Sequence, residues 1–148
     1  MKKYAVFGNP IEHSMSPLIH AYFAENLGIK LTYDAILGTV GKFELEAKNF
    51  LKMGGKGFNV TLPFKQEAYN LAETKSEIAE ITGSVNTISL KDGLIHGDNT
   101  DGSGFIKDIK NNIMTIFFRY LLIRIITFYC NSIHYSSMPK TTSRKEIC

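Results

Sequence analysis

The chain reads as an α/β domain, a largely parallel sheet with flanking helices and one antiparallel hairpin. Three features predict it. Short apolar runs bounded by Gly, Asn and Pro alternate with segments of helical periodicity as far as Thr61. That alternation favours parallel neighbours with helices on both faces. Farther on, Asp92-Gly93 lies between two strand-like runs, the usual chemistry of a tight hairpin turn.

Each element has its own signal. Tyr4–Phe7 is a short apolar strand ending at Gly8 and a turn through Asn9-Pro10. Ser16 is a plausible N-cap with Pro17 at the first helical position, Ile19, Phe23 and Leu27 form a helical stripe, and Gly28 stops it. Leu31–Ile36 is a strand. Lys42–Met53 is a helix with Phe43, Ala47, Phe50 and Leu51 on one face, ended by Gly54-Gly55. Gly57–Thr61 reads as a buried strand, and Pro63 suits the first turn of the next helix. Thr74-Lys-Ser-Glu77 has the spacing of a capping box ahead of Ile78 and Ile81. Val85–Leu90 and Leu94–Gly97 are the hairpin strands, and Phe105, Ile106 and Ile109 share a face of a following helix.

Three segments carry chemistry. Lys65 falls in a first helical turn, beside free backbone N–H groups and the positive end of the dipole, where stability alone would place an acid. Such a lysine is open to a lowered pKa useful for proton transfer; its ordinary alternative is a solvated side chain that swings away. Ser14 and Ser16 crowd another helix start, where hydroxyls and N–H groups converge on an anion such as a small carboxylate or phosphate. Asp101, in Gly97-Asp-Asn-Thr-Asp-Gly-Ser-Gly104, lies at a third helix start that favours its ionised form, although these are also ordinary turn residues. Gly102-Ser-Gly-Phe-Ile-Lys107 imitates half of a dinucleotide fingerprint but lacks its third glycine and the preceding apolar strand.

Four motifs in order, Gly8-Asn-Pro-Ile-Glu-His-Ser-Met-Ser-Pro17, Gly54-Gly-Lys-Gly-Phe-Asn-Val-Thr-Leu-Pro-Phe-Lys65, Gly83-Ser-Val-Asn-Thr87 and Gly97-Asp-Asn-Thr-Asp-Gly102, together resemble the shikimate dehydrogenases. The resemblance covers roughly residues 1 to 112 and implies the substrate-binding domain of an NADP-dependent enzyme. That enzyme interconverts 3-dehydroshikimate and shikimate, on the way to chorismate and the aromatic amino acids. By the same resemblance Ser14 and Ser16 hold the substrate carboxylate. Asn59, Thr61, Asn86 and Asp101 surround its ring hydroxyls, and Lys65 and Asp101 are the catalytic pair. Glu77 falls where some members place a residue near the cofactor; capping is its simpler reading. A lysine accepts or returns the alcohol proton while an aspartate orients it. The carboxylate raises the lysine pKa, whereas burial and the dipole lower it.

Composition breaks near residue 112. All 12 glycines lie at or before Gly104, and the last alanine is Ala79. Residues 113–148 hold both cysteines and five basic side chains against one acid, Glu146; the preceding 112 residues hold twelve against thirteen. The positive balance therefore belongs to the tail and gives no reason to expect nucleic acid as a partner. The break reads as a frame change or a truncation joined to unrelated sequence, not as a second domain. Ile113–Cys130 is apolar apart from Thr115, Arg119, Arg124 and Thr127. Two central arginines cost roughly 2.5–3.5 kcal/mol each on insertion, which argues against a span. A basic surface helix with Arg119, Tyr120 and Arg124 at the headgroups is the milder membrane reading.

The remaining bounds are brief. No signal peptide follows Lys2-Lys3, so cytoplasm is the default compartment. Cys130 and Cys148 give neither a disulfide framework nor metal spacing, and His13, His20, His96 and His134 are scattered, so no metal is expected. A homo-oligomer is compatible with the sequence. The expected partner is a small hydroxy acid, with shikimate favoured over quinate by Thr61 and the serine pair. The functional alternatives are a non-catalytic binder of such acids and a remnant with a membrane-sticky tail. No strand–Gly-x-Gly-x-x-Gly–helix is present, so the chain alone is expected to be inactive.

Overall fold

The computed structural model describes the backbone of residues 1–136, with the side chains of 114–116, 119 and 125–136 outside that description. Its elements run β1 (Lys2–Gly8), α1 (Ser16–Asn26), β2 (Leu31–Leu37), α2 (Phe43–Lys52), β3 (Gly55–Val60), α3 (Lys65–Leu71), β4 (Thr74–Lys75), α4 (Glu77–Thr82), β5 (Thr87–Lys91), β6 (Leu94–Asp98) and α5 (Asp101–Ser136). Two compact units divide at Ser103 and Gly104. The first holds the whole sheet; the second consists of the rest of α5 and the residues after it.

The sheet has six strands in the order β2-β1-β3-β5-β6-β4. β1 pairs in parallel with β2 and β3, and β4 in parallel with β6, while β3–β5 and β5–β6 are antiparallel. The expected mixed architecture is therefore present. At the hairpin tip Asp92 and Gly93 both have positive φ, 52° and 82°, the backbone that a two-residue turn needs to match strand twist.

Strand alternation gives the sheet two unlike faces. Ala5, Phe7, Phe58 and Val60 point to one side, where they bury with Phe43 and Ala47 of α2 and Ala68 and Leu71 of α3. Phe7 meets Phe58 and Phe43 edge-on at 5.0 and 5.8 Å, and Phe43 stacks on Phe64 at 5.1 Å. These rings bring α2 and the start of α3 against the C-terminal ends of β1 and β3. On the other face lie Tyr33, Asn59 and Thr87, with the His20 ring of α1 stacked on Tyr33 at 4.1 Å and 7°.

Local details correct the sequence reading in four places. Ser16 is the first residue of α1 rather than its cap; Met15 precedes it, and Ser14 Oγ accepts from the Ser16 N–H at 3.3 Å. The stripe Ile19, Phe23 and Leu27 is substantially exposed, because His20 and Ala24 face the sheet instead. Pro63 lies before α3, joined to Leu62 by a cis peptide, in a turn closed by Phe64 N–H to Thr61 C=O at 3.0 Å. Ser76, not Thr74, caps α4: its Oγ accepts from the Ala79 N–H at 3.2 Å, while Thr74 belongs to β4 and bonds His96.

In the second unit, Phe105, Ile106 and Ile109 are exposed, and Arg124 lies over the Tyr120 ring at 5.9 Å. Among the described residues no helix is long and apolar enough to cross a membrane. The side chains of Arg119, Cys130 and His134, and all of Glu146 and Cys148, lie outside the described residues.

Ser76 also donates to Asp98 Oδ1 at 2.5 Å, so one hydroxyl joins α4 to the end of β6. Ser76→Ala should lower unfolding stability by about 1–2 kcal/mol, the upper part of the range for a lost cap. Urea denaturation checks this, and a loss of only a few tenths of a kcal/mol would show that the cap carries no such link.

Candidate active site

The polar face of the sheet and the C-terminal ends of β1 and β3 gather most of the residues singled out from the sequence. Gly8 ends β1 and admits Thr61 beside it: a Cβ there would overlap the Thr61 methyl and sit 2.7 Å from Ile11 Cδ1. The Thr61 N–H bonds Phe7 C=O at 2.9 Å, which fixes the start of the β3–α3 turn against β1. Ser14, Ser16 and Thr61 consequently line one cavity of about 320 Å³ with Val6, Pro10, Ile11 and His13. α1 is the one helix among α1 to α4 with no acid in its first turn. With the Ser16 N–H turned to Ser14 Oγ and no N–H on Pro17, this start offers a carboxylate chiefly the two serine hydroxyls and the positive end of the helix dipole.

A second group centres on Asp101. Lys65 Nζ donates to Asp101 Oδ2 at 2.7 Å, with the lysine side chain 29% and the aspartate 52% exposed. Asn86 Nδ2 donates to Asp101 Oδ1 at 2.8 Å. Burial is the largest single influence on the Asp101 carboxyl and pushes its pKa up. The hydrogen bonds from Lys65 and Asn86, with the Lys65 charge, outweigh it and hold the group below its ordinary value.

The backbone around this pair is held from both sides. Val85 N–H donates to Lys65 C=O at 3.0 Å, tying the start of α3 to the approach to β5. Asn86, 8% exposed, accepts on Oδ1 from the Thr100 N–H at 3.1 Å. Asn99, 6% exposed, accepts on Oδ1 from the Asp101 N–H at 3.1 Å and donates to Ser84 Oγ at 2.8 Å and Thr82 Oγ1 at 3.1 Å. Two buried amides thereby lock the turn that delivers Asp101. The pattern Gly-Asp-Asn-Thr-Asp has the composition of an ordinary turn, so sequence reasoning missed Asn99.

Asn59 lies between the two groups. It accepts from the Tyr33 hydroxyl at 2.7 Å and donates to Thr87 Oγ1 at 3.1 Å and Asn86 C=O at 3.3 Å. Burial pushes the Tyr33 phenol up to about 12, with a hydrogen bond to the Ser16 side chain acting the other way. Tyr33 and Asn59 are thus joined directly. Tyr33 carried no signal beyond being a strand residue. Glu77 is not brought in: it is exposed in the first turn of α4, one residue after its cap. Among the described residues no His, Cys, Asp and Glu cluster suits a metal ion.

Comparison with known proteins bears on what this arrangement is. The family model for the shikimate dehydrogenase substrate binding domain matches residues 6–88, more than half of the chain. The chain belongs to the shikimate dehydrogenase family. It is 51% identical over 113 residues to the shikimate dehydrogenase (NADP(+)) of Shewanella halifaxensis, covering 76% of this chain and 40% of that protein. Identity to the Cupriavidus necator shikimate dehydrogenase (NADP(+)) is 48% over 114 residues, covering 77% and 39%. Among solved structures, an Ael1 enzyme from Pseudomonas putida superposes with a TM-score of 0.74 at 42% identity, over 76% of this chain and 42% of that one. The shikimate 5-dehydrogenase of Thermus thermophilus, in complex with NADP(H) and shikimate, gives 0.71 at 34% identity, over 76% and 42%. This family member spans about 40% of the length of the curated relatives it matches.

The Asp101 environment sets a pH dependence. Its folded pKa is depressed, so its stabilising contribution is complete above the unfolded value, about 3.9, and is lost as pH falls through the folded one. The group is half exposed, so the effect is small. Asp101→Asn should flatten the acid side of the stability profile, which urea midpoints between about pH 5 and 3 would reveal. Parallel profiles for the two proteins would mean that the carboxylate gains nothing from its partners.

Proposed function

We propose that this chain supplies the substrate and proton-handling half of an NADP-dependent shikimate dehydrogenase, the reversible reduction of 3-dehydroshikimate to shikimate. The observation that carries the reading is the Lys65–Asp101 pair at 2.7 Å, held in the same unit as the Ser14, Ser16 and Thr61 cavity. The substrate carboxylate takes the start of α1 and the two serine hydroxyls. Thr61 and Asp101 meet ring hydroxyls. Asn86 has both amide protons committed, to Thr100 Oγ1 at 3.0 Å and to Asp101, so it reads a hydroxyl only by exchanging Thr100 for it.

Reduction of a ketone requires a proton at the carbonyl oxygen as a hydride reaches the carbon. Lys65 Nζ gives that proton, or takes it back in the oxidation direction, and Asp101 orients the lysine. The hydride is the chemistry that a bound dinucleotide would supply. In this reading the one acid-free helix start among the described residues, that of α1, is taken by the substrate carboxylate, so the described residues do not fit a dinucleotide. The first turns of α2, α3 and α4 carry Glu44 and Glu46, Glu67, and Glu77 and Glu80, where a pyrophosphate would need free N–H groups and no carboxylates.

Binding is the direct test of the substrate site. Shikimate titrated into the 148-residue chain should give saturable binding by calorimetry or ligand-observed NMR, weakened about 2–10-fold or more by Ser16→Ala, the worth of one hydrogen bond or a charge-assisted one. Equal affinity for both proteins would remove the serines from the site.

The division of labour predicts the kinetics. The chain by itself should not reduce 3-dehydroshikimate with NADPH, because an unheld hydride donor does not reach reacting geometry. A chimera joining residues 1–103 to the nucleotide-binding part of a relative should turn over. There Lys65→Ala should cut kcat by about 10²–10⁴-fold with little change in KM, as for a group acting on a proton in the transition state. An intact kcat with a raised KM would make Lys65 a clamp instead.

A further inference from the structure

Four hydrogen bonds run in one direction across the polar face of the sheet. Tyr33 Oη donates to Asn59 Oδ1 at 2.7 Å, and Asn59 Nδ2 to Thr87 Oγ1 at 3.1 Å. Thr87 Oγ1 donates to Asn86 Oδ1 at 2.8 Å, and Asn86 Nδ2 to Asp101 Oδ1 at 2.8 Å. We propose that Tyr33 and Thr87 are positioning residues for the Lys65–Asp101 pair, acting through this chain of donors. Neither belongs to the set that touches substrate in the reading above.

The direction of the chain is fixed at its members, not chosen. Asn86 Oδ1 also accepts from the Thr100 N–H, which can only donate, and its Nδ2 faces the ionised carboxylate of Asp101, which can only accept. Turning that amide over would set oxygen against oxygen and N–H against N–H. Asn59 Nδ2 also donates to the Asn86 backbone C=O at 3.3 Å, which can only accept, so the second amide is fixed in the same sense. Thr87 has one proton. It goes to Asn86 Oδ1, which leaves the Thr87 oxygen as the acceptor for Asn59. The carbonyl oxygen of Asn59 then faces Tyr33 and accepts the hydrogen bond from its hydroxyl.

Register explains why these residues meet. Asn59 and Thr87 are direct partners in the β3–β5 ladder, so their side chains share a face. Tyr33 is on the outermost strand β2, with β1 between it and β3, and its length carries the hydroxyl across that strand to Asn59. His20 stacks flat on the phenol ring and limits where it can turn. Each bond polarises the next in a partly buried setting, so a donor lost at one end weakens the Asn86 N–H as a donor at the other. A simple sheet cross-link would hold strands together without this reach. The chain of donors therefore predicts an effect at Asp101 from a hydroxyl carried by the edge strand β2.

The test uses the 148-residue chain with Thr87→Val, Thr87→Ser and Tyr33→Phe, read by the NMR titration of the Asp101 carboxyl and the side-chain amide resonances of Asn86. Thr87→Val should raise the Asp101 midpoint and shift the Asn86 amide signals. Thr87→Ser, which keeps the hydroxyl, should restore both. Tyr33→Phe should move the same signals in the same direction by less, and it decides the matter alone if Thr87→Val does not fold. Variants that lower the unfolding midpoint while leaving Asp101 and the Asn86 amide at wild-type values would overturn the proposal and leave Tyr33 and Thr87 as sheet cross-links. The proposal rests on the functional reading only for the purpose of the pair. A companion shikimate titration of Asp101→Asn separates the two: unchanged affinity there removes Asp101 from the substrate site, while the shifts in the Thr87 and Tyr33 variants still establish the donor chain.

Discussion

The site depends on one buried amide. Asn86 sits 8% exposed just before β5, with its oxygen taken by Thr87 and the Thr100 N–H and its nitrogen by Thr100 Oγ1 and Asp101. A buried primary amide left unpaired costs on the order of 1–3 kcal/mol per unmet group, so the surrounding chain has to bring partners to it. The partners it recruits are the turn at the end of β6 and the first residue of α5. Asp101 is thereby placed within reach of Lys65, on the far side of β5 in sequence but close in space. Asn99 performs the matching task from beneath, through Thr82 and Ser84.

This polar construction is possible because the other face of the sheet carries the apolar core. Phe7, Phe43, Phe58 and Phe64 interlock by edge and stacking contacts and secure β1, β3, α2 and the entry to α3. The first turn of α3 is anchored by Phe64, fully buried, immediately before Lys65. Packing on one face thus sets the position of the lysine, and hydrogen bonding on the other sets the position of the aspartate. The ion pair is where the two systems meet. Its exposed character limits what it adds to stability and keeps it open to a ligand.

Family membership agrees with this division. The matched family model is for a substrate-binding domain, and its residues 6–88 take in Ser14, Ser16, Asn59, Thr61, Lys65 and Asn86 but stop before Asp101. Among α1 to α4, only α1 has a first turn free of carboxylates.

The sequence by itself determined the order of the elements apart from the short β4, together with the hairpin and the apolar face of α2, because periodicity and turn chemistry are local properties. Asp92-Gly93 specifies a turn in any context, and Phe43, Ala47 and Phe50 mark a buried helix face without reference to a partner. It also singled out Lys65 and Asp101 as helix-start residues with chemistry in prospect. Their separation by 36 positions, closed to 2.7 Å, was decided by tertiary structure. So were the true cap of α4 at Ser76, the outward turn of Ile19 and Phe23, and the hydrogen-bond partners of Tyr33, Thr87 and Asn99. These depend on which polar atoms face each other once the strands are in register. A tyrosine in a strand, a threonine in a hairpin and an asparagine in a turn have the same local signature whether or not they hold a carboxylate beside a lysine. Only the folded sheet brings their donors and acceptors into a single order.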